Sequence, residues 1–146
     1  MNINQENKST MEFEDTLLSG AELSANGLIK LGMLYASVDR FEEAIGAYSM
    51  AIDLEPSEQG FNYYRGIAWF QMGNMEQAMN DFAIALEAES CNKVEILNFT
   101  GCIKYRTGDY QGASRDLSEV LIKNHGLLND LVLSPEEYED LQNNCN

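Results

Sequence analysis

The chain has 146 residues, 45% of them hydrophobic and 10% aromatic, which is enough to bury a core as one domain or a short array of repeats. Its net charge of −15 excludes the broad basic surface by which proteins bind nucleic acids and anionic membranes. Two prolines, and apolar residues at helical rather than alternating spacing, predict an all-α fold.

Residues 1–20 are predicted to be a polar N-terminal segment that contains one short helix. Ser9 or Thr10 is its candidate cap, and Ser19-Gly20 ends it. We expect this helix to shield the first hairpin, to dock in a groove or to contact another copy of the chain. Its apolar side chains are Met11, Phe13, Leu17 and Leu18.

Residues 21–126 are predicted to form three helical hairpins, over about 22–56, 57–90 and 91–126. Pro56 stops the first hairpin, Gly73-Asn74 makes the turn of the second, and His125-Gly126 ends the third. The helices are expected at 24–37 and 40–54, at 57–72 and 75–88, and at 93–107 and 110–124.

Residues 127–146 are predicted to end in an acidic capping helix. Ser134 and Glu137 have the spacing of a capping box, and Pro135 suits the first helical position. The helix should run to about Gln142 and cover the last hairpin with a polar outer face, as arrays of repeats require.

Small and large residues recur through the hairpins at a fixed period. Gly32 and Gly66 lie 34 residues apart, and Gly101 follows after 35. Because glycine is costly inside a helix, we expect a neighbouring backbone to approach closely at all three positions. The same offsets relate Ala44, Ala78 and Ala113, and likewise Tyr48, Phe82 and Leu117. Such a period is typical of stacked helix–turn–helix units.

The spacing Leu28-x2-Leu31-Gly32-x2-Tyr35, followed by Ala44-x3-Tyr48-x2-Ala51-x4-Pro56, resembles the tetratricopeptide repeat. The resemblance covers three units and roughly residues 22–125. It implies an α-α superhelix in which the first helix of each unit lines a concave groove. In this family, the groove usually binds a peptide or a helix of a partner protein.

The third unit departs from the pattern at two positions. Lys104 stands where the earlier units have Tyr35 and Trp69, and Val120 replaces the final alanine. We therefore expect the first helix of this unit to be rotated, or its contacts to be filled by Tyr105.

The concave rows that the resemblance implies are apolar and aromatic at their centre, and a contiguous apolar patch commonly marks an interaction site. We expect them to bind an apolar or amphipathic segment anchored by Tyr64, Phe70 and Phe99, with Lys30 and Arg106 placed to hold a carboxylate. The alternative is that a terminal helix seals these rows as core. The predicted partner-binding residues are Ile29, Lys30, Met33, Tyr63, Tyr64, Ile67, Phe70, Asn98, Phe99, Cys102, Tyr105 and Arg106.

One class of ligand is not expected. The co-chaperones of this family that hold the acidic C-termini of heat-shock chaperones use Lys, Asn and Arg side chains on the first helices. None of the matching places has the required group, and recognition of two carboxylates is therefore not predicted. These places are Ile29, Met33, Tyr64, Glu95 and Phe99.

No catalytic, cofactor or metal site is predicted. The sole histidine, His125, lies at a predicted helix end, no histidine lies in the unit of Cys102, and Cys/His spacing for a metal is absent. An odd number of cysteines favours free thiols in the cytoplasm. No apolar run is long enough to cross a membrane.

The leading hypothesis is therefore a non-catalytic scaffold or adaptor that binds a protein partner. A small acidic chaperone of the bacterial secretion type is similar in build and is the second hypothesis. A subunit of an oligomer, including a homodimer, is the third.

Overall fold

The computed structural model describes residue 15, residues 24–123 and residues 131–145, and within these ranges it contains helices and no strand. The predicted all-α fold is confirmed. The helix predicted near residues 10–18 and the end predicted at His125-Gly126 fall outside the described residues, apart from residue 15. The helices are α1 (Ala25–Ser37), α2 (Phe41–Leu54), α3 (Phe61–Gln71), α4 (Met75–Ala85), α5 (Lys93–Arg106), α6 (Tyr110–Lys123) and α7 (Pro135–Asn144).

The helices belong to two compact units, one extending to Glu89 and the other beginning at Ser90. In the first unit, α1 packs on α2, α4 packs on α3, and α3 contacts both α1 and α2. In the second unit, α5 packs on α6, and α7 contacts α6. Each helix of a hairpin therefore buries its apolar stripe against its partner, as amphipathic helices do.

The turn inside each hairpin uses one residue with left-handed backbone conformation. Asp39 has φ +60°, Gly73 has φ +78° and Gly108 has φ +87°. These residues are 34 and 35 positions apart, so each hairpin reverses at the same point of the repeat. Glycine adopts this conformation freely, and aspartate is among the few other residues that tolerate it.

The periodic glycines make room for side chains rather than for backbone, which corrects the expectation from the sequence. A Cβ atom added to Gly32 would lie 2.3 Å from the ring of Tyr48 on α2. At Gly66 the nearest atom is in the ring of Phe82 at 2.9 Å, and at Gly101 it is in Leu117 at 2.6 Å. Each glycine thus receives the large side chain of its own hairpin partner.

Two predicted helix boundaries were wrong. Helix α3 begins at Phe61 rather than at 57, because Glu58 bends the chain: its amide donates to the carbonyl of Glu55 and its carboxylate accepts from the amide of Gly60. Helix α4 ends at Ala85 rather than at 88, because the amides of Glu87 and Ala88 donate to carbonyls three residues back, which tightens the last turn. The predicted capping box of Ser134 and Glu137 is present at the start of α7.

Lys104 departs from the repeat pattern because it neutralises a buried carboxylate. Its ammonium group pairs with Asp116 at 2.5 Å, and the hydroxyl of Thr100 donates to the same carboxylate oxygen at 2.7 Å. Since Gly101 still faces Leu117 as Gly66 faces Phe82, the expected rotation of this helix is not seen.

Candidate functional site

Four of the predicted residues of the first unit, Met33, Tyr63, Tyr64 and Ile67, line a depression of about 290 Å³ between α1, α2 and α3. Side chains from all three helices meet there because α3 packs on both α1 and α2. Among the described residues, the lining contains no charged side chain: it consists of Met33, Ala36, Phe41, Tyr48, Tyr63, Tyr64, Ile67 and Ala68.

Three tyrosines form an aromatic wall in this depression. The ring centroids of Tyr63 and Tyr64 lie 5.4 Å apart in an edge-to-face arrangement, and those of Tyr48 and Tyr64 lie 6.0 Å apart. Aromatic pairs at such distances hold one another in place. The wall therefore presents contact area to an occupant at a low cost in conformational entropy.

The structure separates the predicted residues of the first unit into two groups. Met33 is 49% exposed and lines the depression, as do Tyr63, Tyr64 and Ile67. Ile29 and Phe70 are buried in the fold and are not part of the lining, so Phe70 does not have the exposure expected of an anchor. Lys30 lies exposed on α1, one turn before Met33.

Phe41 was missed as a lining residue by sequence reasoning. It is the first residue of α2 and belongs to none of the predicted rows, which were taken from the first helix of each hairpin. The tight turn at Asp39 brings it back beside the C-terminal end of α1. A large apolar side chain at the first position of the second helix, after a short turn, is the signal that identifies such a position.

The acidic side chains of the first unit are absent from α1 and α3, two of the three helices around this depression, while α2 carries Glu42, Glu43 and Asp53. Residues 24–89 contain ten acidic and three basic side chains. None of the ten acids belongs to α1 or α3, whose charged side chains are Lys30 and Arg65. Arg65 is committed to Asp81, which leaves Lys30 as the free cation on α1 and α3.

The predicted residues of the second unit contact the C-terminal segment of the same chain. The side-chain oxygen of Asn98 accepts from the amide of Val132 at 2.8 Å, and the guanidinium of Arg106 lies 3.6 Å from Glu137. The hydroxyl of Tyr105 donates to Asp140, and this bond raises the pKa of Tyr105 to about 12. These bonds therefore attach α7 and the residues just before it to α5.

Cys102 and Phe99 complete the predicted set. Cys102 is fully buried, and burial raises the pKa of its thiol to about 11, which disfavours the nucleophilic thiolate. Phe99 remains half-buried on α5. In the part of the chain that the structure describes, no three Cys, His, Asp or Glu side chains are grouped so as to hold a metal ion. None of its helices has the length and apolar character needed to span a membrane.

Stability is expected to fall as pH rises from 10 towards 12, because of Tyr48. Burial, followed by repulsion from Tyr64, raises the pKa of Tyr48 from 10 to about 12. In this interval the unfolded chain loses the phenol proton while the folded chain keeps it, so ionisation favours unfolding. Tyr48→Phe should remove this part of the decline. The measurement is the melting temperature of both proteins at pH 8 and above pH 10. An equal fall in melting temperature in the two proteins would contradict the prediction.

Comparisons with known proteins bear on the fold of the chain. No family model matches the chain. Hsc70-interacting protein 1 of Drosophila melanogaster is 28% identical over 113 residues, which are 77% of this chain and 28% of that protein. The chain thus spans less than a third of that relative's length.

Two solved structures superpose on most of the chain. The first TPR of Spaghetti (RPAP3), bound to the HSP90 peptide SRMEEVD, has a TM-score of 0.62 at 20% identity and covers 84% of this chain and 93% of its own. The structure of MamA has a TM-score of 0.70 at 16% identity, covering 88% of this chain and 78% of its own.

The chain has the tetratricopeptide repeat fold. Three of its features correspond to the repeat in physical terms: the glycine that receives a large side chain, the left-handed turn residue and the period of 34 or 35 residues. In tetratricopeptide terms, α1, α3 and α5 are the first helices of the repeats, and the depression lies between both helices of repeat one and the first helix of repeat two.

Proposed function

We propose that this protein is a non-catalytic interaction module that holds an apolar or amphipathic segment of a partner protein in the depression of its first unit. The observation that carries the proposal is a lining of apolar and aromatic side chains that includes no charged side chain among the described residues. A site of this composition provides apolar contact area and few groups that could act on a substrate. We also propose the cytoplasm as its location, since all three cysteines are free thiols.

The segment is proposed to bind through apolar side chains rather than through terminal carboxylates. The Spaghetti domain with this fold holds the acidic HSP90 peptide SRMEEVD. The places that the carboxylate-holding subclass fills with Lys, Asn and Arg contain Ile29, Met33 and Tyr64 in the first unit. Lys30 can pair with a single carboxylate of the partner, and an exposed pair of this kind adds little affinity.

Met33→Glu is the variant that tests this proposal. The side chain is half exposed, so a charge there should leave the fold intact while it places an unpaired carboxylate in the depression. We expect partner affinity to fall about tenfold or more, which corresponds to ~1.4 kcal/mol. Affinity capture followed by calorimetry with the purified partner provides the measurement.

Met72→Glu is the matched control, since Met72 is also an exposed methionine but does not line the depression. It should bind as the unmodified protein does. Equal binding by both variants would contradict the proposal, and so would capture that depends only on residues of the second unit.

A further inference from the structure

Helices α2 and α4 carry a second pattern of exposed apolar side chains, none of which lines the depression. On α2, Met50 is 53% exposed and Leu54 is 58% exposed, one helical turn apart. On α4, Ile84 is 42% exposed, and it occupies the same repeat position as Met50, 34 residues later. Single exposed apolar side chains are ordinary, but exposure at equivalent positions of successive repeats is a pattern.

Acidic side chains stand at equivalent positions of the two repeats near these apolar side chains. Asp53 lies three residues after Met50, and Glu87, just beyond the end of α4, lies three residues after Ile84. Glu42 and Glu76 lie in the first turns of α2 and α4, about two turns before those apolar side chains. All four acids are exposed. Arg65 donates to Ser49, next to Met50 on α2, and to Asp81, one turn before Ile84 on α4, so the two helices approach each other at these positions. We call the seven residues together the acidic–apolar face: Glu42, Met50, Asp53, Leu54, Glu76, Ile84 and Glu87.

The carboxylates of this face are available for ion pairs with a partner protein. Within the described ranges, no salt bridge involves Glu42, Glu76 or Glu87. Two of the three cations in residues 24–89 are already paired, Arg40 with Glu43 and Arg65 with Asp81. A partner that brings its own cations would therefore gain electrostatic complementarity that the chain does not supply to itself.

We propose that the acidic–apolar face binds a basic amphipathic helix of a partner protein. The spacing of Met50 and Leu54 along α2 matches the one-turn spacing of apolar side chains on an incoming helix. Lysine and arginine beside those side chains would meet the flanking acids. A second copy of this chain is a poor occupant, because a symmetric contact would set the acids of one face against those of the other.

The experiment measures the fluorescence anisotropy of a labelled amphipathic helical peptide built from leucine and lysine. A control peptide keeps the leucines and replaces each lysine with glutamate. The acidic–apolar face should bind the first peptide and not the second, and binding should weaken as salt is added. Equal binding of the two peptides, or binding independent of salt, would overturn the proposal.

Two double variants separate the contributions of the face. Met50→Ser with Leu54→Ser removes the apolar contact, and Glu42→Gln with Glu76→Gln removes two charges. Each should weaken binding about tenfold, or ~1.4 kcal/mol. These side chains are exposed, so circular dichroism should show unchanged helix content. Binding as tight as that of the unmodified protein would refute the assignment.

The controls address bulk charge and the other site. Glu119→Gln with Glu139→Gln removes the same number of exposed charges from the second unit and should change affinity by less than about twofold. A tenfold loss there would mean non-specific attraction to an acidic protein. Met33→Glu should leave binding of this peptide intact, and its loss would place the peptide in the depression instead.

Discussion

Replacing Asp81 with alanine is expected to destabilise the first unit by about 3 kcal/mol, because it leaves a partly buried cation without its partner. Asp81 is buried on α4 and accepts two hydrogen bonds from the guanidinium of Arg65, each at 2.8 Å. Asp81 also accepts a hydrogen bond from the side-chain amide of Asn62 at 2.9 Å. Arg65 further donates to Ser49, so one carboxylate organises groups on α2, α3 and α4.

The measurement is the free energy of unfolding from urea denaturation followed by circular dichroism. The expected loss of stability is at the lower end of the range for breaking a buried ion pair, because the side chain of Arg65 is 24% exposed. Combining Asp81→Ala with Arg65→Met should cost less than the sum of the two single changes, since the orphaned charge is then absent.

The exposed pair of Arg40 and Glu43 supplies the control. It has a similar N–O distance, 2.9 Å, but both side chains are more than 40% exposed. Glu43→Ala should therefore leave stability almost unchanged. If Asp81→Ala were as mild as Glu43→Ala, the buried network would contribute nothing beyond a surface ion pair.

Two glycine-to-alanine changes within the first hairpin are expected to shift stability in opposite directions. At Gly32 the new methyl group would lie 2.3 Å from the buried ring of Tyr48, and overpacking of this kind costs about 1–3 kcal/mol. At Gly46, in the middle of α2, no atom lies within 4 Å of the new methyl group. Alanine there should stabilise the helix by about 1 kcal/mol.

This pair of variants isolates packing from helix propensity, because both changes replace a mid-helix glycine with the same residue. Thermal and urea unfolding of the two proteins beside the parent provide the measurement. A gain in stability at Gly32 would show that the ring of Tyr48 can move aside at no cost. The packing of Tyr48 against Gly32 would then not be a requirement for the stability of this hairpin.

The hairpins were predictable from the sequence because their determinants are local. Helical spacing sets the buried stripe, and the small and large residues recur at fixed offsets because each hairpin packs against itself in the same way. The start of α3 was not predictable in this way, since Ser57 looks like a cap while the bonds of Glu58 hold the chain in a turn. Phe41 was missed because its place depends on how tightly the preceding turn closes.

The reason why Lys104 replaces an aromatic residue of the repeat pattern became clear only from the tertiary structure. Asp116 and Asp81 occupy the same repeat position, yet one is neutralised by Lys104 and the other by Arg65. The two cations stand at different repeat positions, so the repeat pattern alone does not pair them with the aspartates. A buried carboxylate needs a nearby cation or donors from whichever positions reach it.

The sequence by itself determined that this protein is a series of helical hairpins, and it located the side chains that recur in them. The tertiary structure decided which of those side chains meet solvent. Met33 and Cys102 occupy the same repeat position, but Met33 is 49% exposed and Cys102 is fully buried. The reason is that the exposure of a side chain depends on which part of the chain packs beside its helix. Met33 on α1 lines a depression, whereas the helix that carries Cys102 is bonded to residues 132–140.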